Sequence, residues 1–171
     1  MTTVLVVYAS RMGSTREIAE AIGQLMRDRG LPTTVTAAAD APDARGFDAV
    51  ILGSALYLGR WQKDAANYLW RQSDDLANRP TWLFQSGPTG PARENLRSHT
   101  PREVRRLCQQ IGLLEPMTFA GNLDHSRAQG WLAGWVSNGD LAGDFRDWEL
   151  ILAWAELIAH ELVGDHAPAG S

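Results

Sequence analysis

The sequence predicts a doubly wound α/β fold, a parallel sheet with helices on both faces. Three observations lead there. Val4-Leu5-Val6-Val7-Tyr8-Ala9 is a continuous apolar run rather than an alternating one, which suits a strand covered on both sides. Further short apolar runs recur down the chain, and stretches with helical spacing separate them, the order that successive βαβ units require. The length of 171 residues, 44% of them hydrophobic and 21% charged, suits one globular domain with a substantial core.

The elements follow in order. After the first strand a polar turn, Ser10-Arg11-Met12-Gly13-Ser14-Thr15, leads into a helix with Ile18, Ile22, Leu25 and Met26 on one face and Gly30 as its stop. Leu31 to Ala37 reads as a second strand, with Pro32 at its start. Ala49-Val50-Ile51-Leu52 is a third, ending in Gly53-Ser54. Trp61, Ala65, Tyr68, Leu69, Gln72 and Leu76 mark one helix face. Thr81-Trp82-Leu83-Phe84 is a fourth strand, followed by the breaker-rich Ser86-Gly87-Pro88-Thr89-Gly90-Pro91. Val104, Leu107, Cys108 and Ile111 define another amphipathic helix, and Met117-Thr118-Phe119-Ala120 a fifth strand. Trp148, Ile151, Leu152, Ala155, Ile158, Ala159 and Leu162 form a final stripe, with Asp144 or Asp147 as N-cap. Residues 1–163 are expected to be a single domain, and 164–171, which carry no packing signal, a mobile tail.

Lysine and arginine number 16 against 20 aspartates and glutamates, a formal net charge of −4. A binder of the phosphate backbone needs a basic face, so no nucleic-acid partner is expected. The one cysteine, Cys108, can form neither an internal disulfide nor a thiolate metal site. It falls on the apolar stripe of its helix, where a core thiol is expected. His99, His125, His160 and His166 show no ligand spacing, and no metal is expected. No uncharged apolar run approaches the ~20 residues that span a bilayer, and the N-terminus lacks the basic-then-apolar order of a signal peptide. The expectation is a cytoplasmic chain without a transmembrane segment.

In doubly wound sheets ligands sit beyond the carboxyl ends of the strands, where the strand order reverses. That directs attention to loops 10–15, 54–61, 86–91 and 121–125. At the first, backbone N–H groups of a helix start lack partners and the helix dipole adds partial positive charge. Ser10, Ser14 and Thr15 add hydroxyls, and Gly13 admits a close backbone approach, which together make a phosphate cradle without a lysine. A helix cap made by Ser14 or Thr15 is the plainer alternative. No G-x-x-x-x-G-K-[ST] is present, which argues against a P-loop nucleotidase, and no G-x-G-x-x-G follows the first strand, which weakens a dinucleotide reading. The ends of the first and third strands, Tyr8-Ala9-Ser10 and Gly53-Ser54, lack the carboxylates that a phosphoacceptor receiver domain needs.

Ser10-Arg11-Met12-Gly13-Ser14-Thr15 resembles the [ST]-x-x-G-x-T phosphate loop of flavodoxin-like proteins that bind FMN. Gly53-Ser54-Ala55-Leu56-Tyr57-Leu58-Gly59-Arg60-Trp61 resembles the loop after the third strand in menaquinone-dependent protoporphyrinogen oxidases of flavodoxin type. Gly143-Asp144-Phe145-Arg146-Asp147-Trp148-Glu149, then Trp154-Ala155-Glu156-Leu157-Ile158-Ala159, resembles the start of the last helix in that same group. The resemblance runs from Val4 to Leu162. It implies a flavodoxin-like five-stranded parallel sheet in the order 2-1-3-4-5, with FMN as cofactor.

Ser10, Ser14 and Thr15, with the amides around Arg11, Met12 and Gly13, would hold the phosphate. Ser54, Ala55, Leu56, Tyr57 and Gly59 would lie along the isoalloxazine ring, with Tyr57 or Trp61 as stacking partner or as simple helix-entry packing. Ser86, Gly87, Pro88, Thr89 and Gly90 would supply backbone groups to the pyrimidine end. There are departures: Met12 stands where carrier flavodoxins often have a hydroxyl, and Arg11 brings a cation to the loop. Between Asp124 and Gly143 the chain is shorter and much less basic than the protoporphyrinogen oxidases, which carry an insertion there.

The implied function is an FMN-dependent oxidoreductase passing hydride or electrons to a second acceptor, with no catalytic side chain assigned because the cofactor carries the chemistry. A soluble electron carrier is the rival reading, although such carriers use strong single-sign fields and −4 is modest. A regulatory protein with a weak flavin site is a third. The partner is expected to be a small-molecule or protein redox partner. Residues 128–139 are uncharged and carry Trp131 and Trp135 four apart, one helical face that suits core packing, a membrane interface, a homodimer contact or a lid.

Overall fold

The computed structural model describes residues 1–11, 13–87, 100–119 and 148–164. Its sheet has five parallel strands, β1 (Val4–Ala9), β2 (Thr33–Ala37), β3 (Ala49–Tyr57), β5 (Thr81–Ser86) and β6 (Met117–Phe119), in the order β2-β1-β3-β5-β6. A sixth, β4 (Arg60–Trp61), only two residues long, pairs antiparallel with the end of β3. With β4 set aside, the order is the expected 2-1-3-4-5.

The unbroken apolar run of β1 has a direct cause. The strand is flanked on both edges, Val4 standing opposite Thr33 of β2 and Ala49 of β3. It is also covered on both faces, and Val4 to Val7 are fully buried. Successive side chains of a strand point to opposite faces. Val4 and Val6 therefore pack under α1 (Ser14–Asp28) and α5 (Trp148–Gly164). Leu5 and Val7 pack under α2 (Lys63–Arg71), α3 (Ser73–Ala77) and α4 (Arg102–Ile111). On the first face Phe84, Phe119 and Trp154 form a cluster with ring centroids 5.5–6.0 Å apart. Gly53 lies opposite Phe84 across the β3–β5 ladder, and a Cβ there would sit 2.0 Å from that ring. Gly53 is thus inside the strand because Phe84 occupies the volume of its missing side chain.

Several expectations are corrected. The third strand does not end at Gly53-Ser54 but continues to Tyr57. The helix expected from Trp61 to Leu76 is three elements: Trp61 belongs to β4, α2 starts at Lys63, and α3 follows a break at Gln72. The side chain of Gln72 is drawn out of the helical row to serve residues 43–44, its Oε1 accepting from Ala44 N–H at 2.9 Å and its Nε2 donating to Asp43 Oδ1 at 2.9 Å. The second strand begins at Thr33 rather than Leu31. No α-helix joins β2 to β3. Two 3₁₀ turns, Ala38–Asp40 and Ala44–Gly46, do so around Pro42, which disfavours a continuous helix. Gly164 ends α5 rather than opening a tail. Residues 165–171, Ala120 and the expected caps Asp144 and Asp147 lie outside the described residues. Among the described residues no helix is long and apolar enough to cross a membrane.

Candidate functional site

The sheet register gathers the candidate loops. Ala9 pairs with Ser54, and Ala55 with Ser86, so β1, β3 and β5 end side by side. Strand order reverses at β1, with β2 on one side and β3 on the other, the position at which such sheets bind ligands.

In the β1–α1 loop Gly13 is the N-cap of α1, with φ of +89° that side chains rarely adopt. The N-cap position falls on Gly13, ahead of Ser14 and Thr15. Ser10 Oγ accepts the Gly13 N–H at 2.9 Å, which leaves the Ser10 hydroxyl proton as a donor. A Cβ on Gly13 would meet no atom of the described residues within 4 Å. Ser14 opens α1 half-buried. Thr15 is fully buried, and its hydroxyl lies 2.8 Å from that of Ser86, tying the start of α1 to the end of β5. Arg11 is exposed and crosses to the hairpin, its guanidinium carbon 3.7 Å from the centroid of the Tyr57 ring.

The β3–β4 hairpin is built differently. Leu58 and Gly59 both have positive φ, 50° and 72°, in a two-residue connection between Tyr57 and Arg60. Paired positive φ matches the twist of a tight hairpin. Ser54 is fully buried. Its hydroxyl donates to the Ala55 carbonyl at 3.0 Å and accepts the Gln62 N–H at 2.8 Å. Leu56 packs into the α2 face, and Ala55 is half-buried. The two aromatic candidates separate: Tyr57 is 47% exposed, whereas Trp61 is 5% exposed. Trp61 is therefore no stacking surface. Its indole Nε1 donates to Gln85 Oε1 at 3.0 Å, and Gln85 Nε2 donates to Thr118 Oγ1 at 3.0 Å.

Gln85, fully buried, is a residue the sequence reading passed over. Its signal was an amide extending the apolar run Trp82-Leu83-Phe84, since a buried amide needs partners. Beyond it the Gly87 N–H donates to the Phe119 carbonyl at 3.1 Å. Met12, Pro88, Thr89, Gly90, loop 121–125 with His125, Trp131, Trp135 and residues 143–147 lie outside the described residues.

Cys108 is buried in the α4 face, where desolvation, with a smaller contribution from the Glu115 charge, pushes its thiol up to about 11. That is a core thiol, not a reactive one. Burial likewise raises Tyr68 to about 12, and its hydroxyl donates to the Pro42 carbonyl at 2.8 Å. A cavity of about 200 Å³ opens between Tyr8–Ser10, Ala37–Ala39 and the start of α2, and Ser10 is its one residue in common with the four expected loops.

Solved structures share this architecture. Rubredoxin:oxygen oxidoreductase from the anaerobe Desulfovibrio gigas superposes with a TM-score of 0.66 at 17% identity, covering 98% of this chain and 37% of that one. This chain thus spans little more than a third of that protein's length. Oxidised flavodoxin 1 from Bacillus cereus gives 0.55 at 18% identity, covering 73% and 88% of the two chains. Fusobacterium nucleatum flavodoxin bound to flavin mononucleotide gives 0.52 at 15%, covering 73% of each. Likeness at these identities is likeness of fold. The family model of the flavodoxin domain matches residues 5–131, most of the chain. By that match, and with the sheet order and the loop at the strand-order reversal in agreement, this chain belongs to the flavodoxin-domain family.

Proposed function

We propose that the chain binds FMN at the carboxyl edge of its sheet and uses it to pass hydride or electrons between a donor and a second acceptor, a small-molecule or protein redox partner. One observation carries this reading: where the strand order reverses, α1 starts from Gly13 as its N-cap, and no atom of the described residues comes within 4 Å of a Cβ placed there. Such an N-terminus favours an anion. Ser10, Gly13, Ser14 and Thr15, with the backbone of Arg11 and Met12, would hold the phosphate. Ser10 has a hydroxyl proton to give, while the buried Thr15–Ser86 contact sets the position of the loop. Tyr57 would present its exposed ring to the isoalloxazine, within the segment of Ser54, Ala55, Leu56 and Gly59. Ser86, Gly87, Pro88, Thr89 and Gly90 would meet the pyrimidine end. When bound, FMN supplies the redox chemistry, and the chain supplies position and electrostatics. The FMN bound to the Fusobacterium flavodoxin supports the choice of cofactor.

The finer proposal is a protoporphyrinogen oxidase-like enzyme, supported by the sequence resemblance of Gly53–Trp61 and Trp154–Ala159. Native purification followed by an absorbance spectrum tests the cofactor, and a colourless protein that takes up no added FMN overturns the proposal. Anaerobic addition of protoporphyrinogen, then of a menaquinone, tests the subtype. The expected result is bleaching of the flavin bands and their return. Flavin that only a protein reductant bleaches reassigns the chain as an electron carrier.

A further inference from the structure

We propose that Arg11 and Tyr57 form a latch that selects a phosphorylated flavin over the phosphate-free one, an inference that rests on the FMN reading above. The guanidinium carbon of Arg11 stands 3.7 Å from the centroid of the Tyr57 ring. Arg11 reaches the ring from the β1–α1 loop, so the face it covers is the one turned toward that loop. A flavin anchored in the loop by its phosphate would need that same face. The two occupants exclude each other.

The cation is also unspent. Arg16, Arg29 and Arg105 pair with Glu20, Glu156 and Glu115, whereas Arg11 has no carboxylate partner among the described residues. An incoming ring must displace the guanidinium from Tyr57. A ligand with a phosphate offers the released cation a dianion beside its own backbone, and a guanidinium matches phosphate geometry well. A ligand without one offers nothing in return. One residue therefore opposes riboflavin and favours FMN, discrimination by a repulsive element as much as by an attractive one. A cation over an exposed ring corresponds to roughly threefold in affinity, and a charge-assisted bond to phosphate to roughly tenfold.

The test is titration of the flavin-free full chain with FMN and, separately, riboflavin, followed by flavin fluorescence, for the wild type, Arg11→Gln and Arg11→Lys. In Arg11→Gln riboflavin is expected to bind roughly threefold tighter and FMN roughly tenfold weaker. Arg11→Lys keeps the charge and is expected to recover most of the FMN affinity. Thermal melts verify that each variant is folded. Riboflavin affinity unchanged or weakened in Arg11→Gln overturns the latch, because a residue that merely props the loop would weaken both ligands together. Wild-type protein that takes up neither flavin overturns the FMN reading itself, and the latch with it.

Discussion

At the carboxyl edge of the sheet the β3–β4 hairpin turns its polar groups inward, while the β1–α1 loop beside it buries Thr15 and leaves Arg11 exposed. Ser54, Trp61 and Gln85 are buried, and their hydrogen bonds close on Ala55, Gln62 and Thr118. The hairpin is thereby a piece of the core, with Tyr57 and Leu58 projecting from it. In the loop, Ser10 braces Gly13 and still has a proton to donate, α1 begins at a glycine N-cap, and Arg11 has no ion-pair partner among the described residues. A buried polar group is stabilising only when paired; an exposed one at a helix start can wait for a ligand. Damage to the hairpin should therefore appear as lost stability, and damage to the loop as lost ligand.

The largest expected effect is on the hairpin's own strand. Gly53→Ala would drive a methyl into Phe84, which Phe119 and Trp154 hold in place, and should cost about 3 kcal/mol in urea denaturation. A loss well below that would mean the ring swings aside. Next is Gly13→Val, expected to lower FMN affinity by about 100-fold, or about 2.7 kcal/mol. It forces a β-branched residue into φ of +89° and adds a side chain to the loop. Flavin content after native purification is the measurement, and unchanged flavin in a folded variant contradicts the cradle. Gln85→Leu keeps the volume but strips partners from Trp61 and Thr118, so it should cost about 2 kcal/mol. An unaltered melting curve would show those groups finding other partners. The smallest effect is a gain: Leu58→Asn puts a residue that tolerates positive φ at the hairpin turn. It should stabilise by about 0.5 kcal/mol, and a lower melting temperature would show that the exposed leucine is held by contacts of its own.

Much of the fold was legible because its causes are local. A central strand buried on both faces has to be apolar throughout, and Val4–Ala9 is. The Ser10–Thr15 loop was legible because its residues are consecutive and lie at a strand-to-helix junction. The hairpin was not. Trp61 continues the helical spacing of Ala65 and Tyr68, and Leu58 is not a residue that announces a tight turn. The chain reverses there because β3 overshoots its neighbours and Trp61 finds an acceptor in Gln85, 24 residues away. Gln85 in turn reaches Thr118, 33 residues further on.

Periodicity and turn chemistry thus decided which segments become strands and helices, and where a loop rich in hydroxyls faces a helix start, since both follow from residues within a turn or two of one another. Which hydroxyls are sealed inside, as at Thr15 and Ser54, and which aromatic ring stays exposed, Tyr57 rather than Trp61, was settled only when distant strands came into register. Hydrogen-bond partners and burial belong to the assembled sheet, and no short stretch of chain contains them.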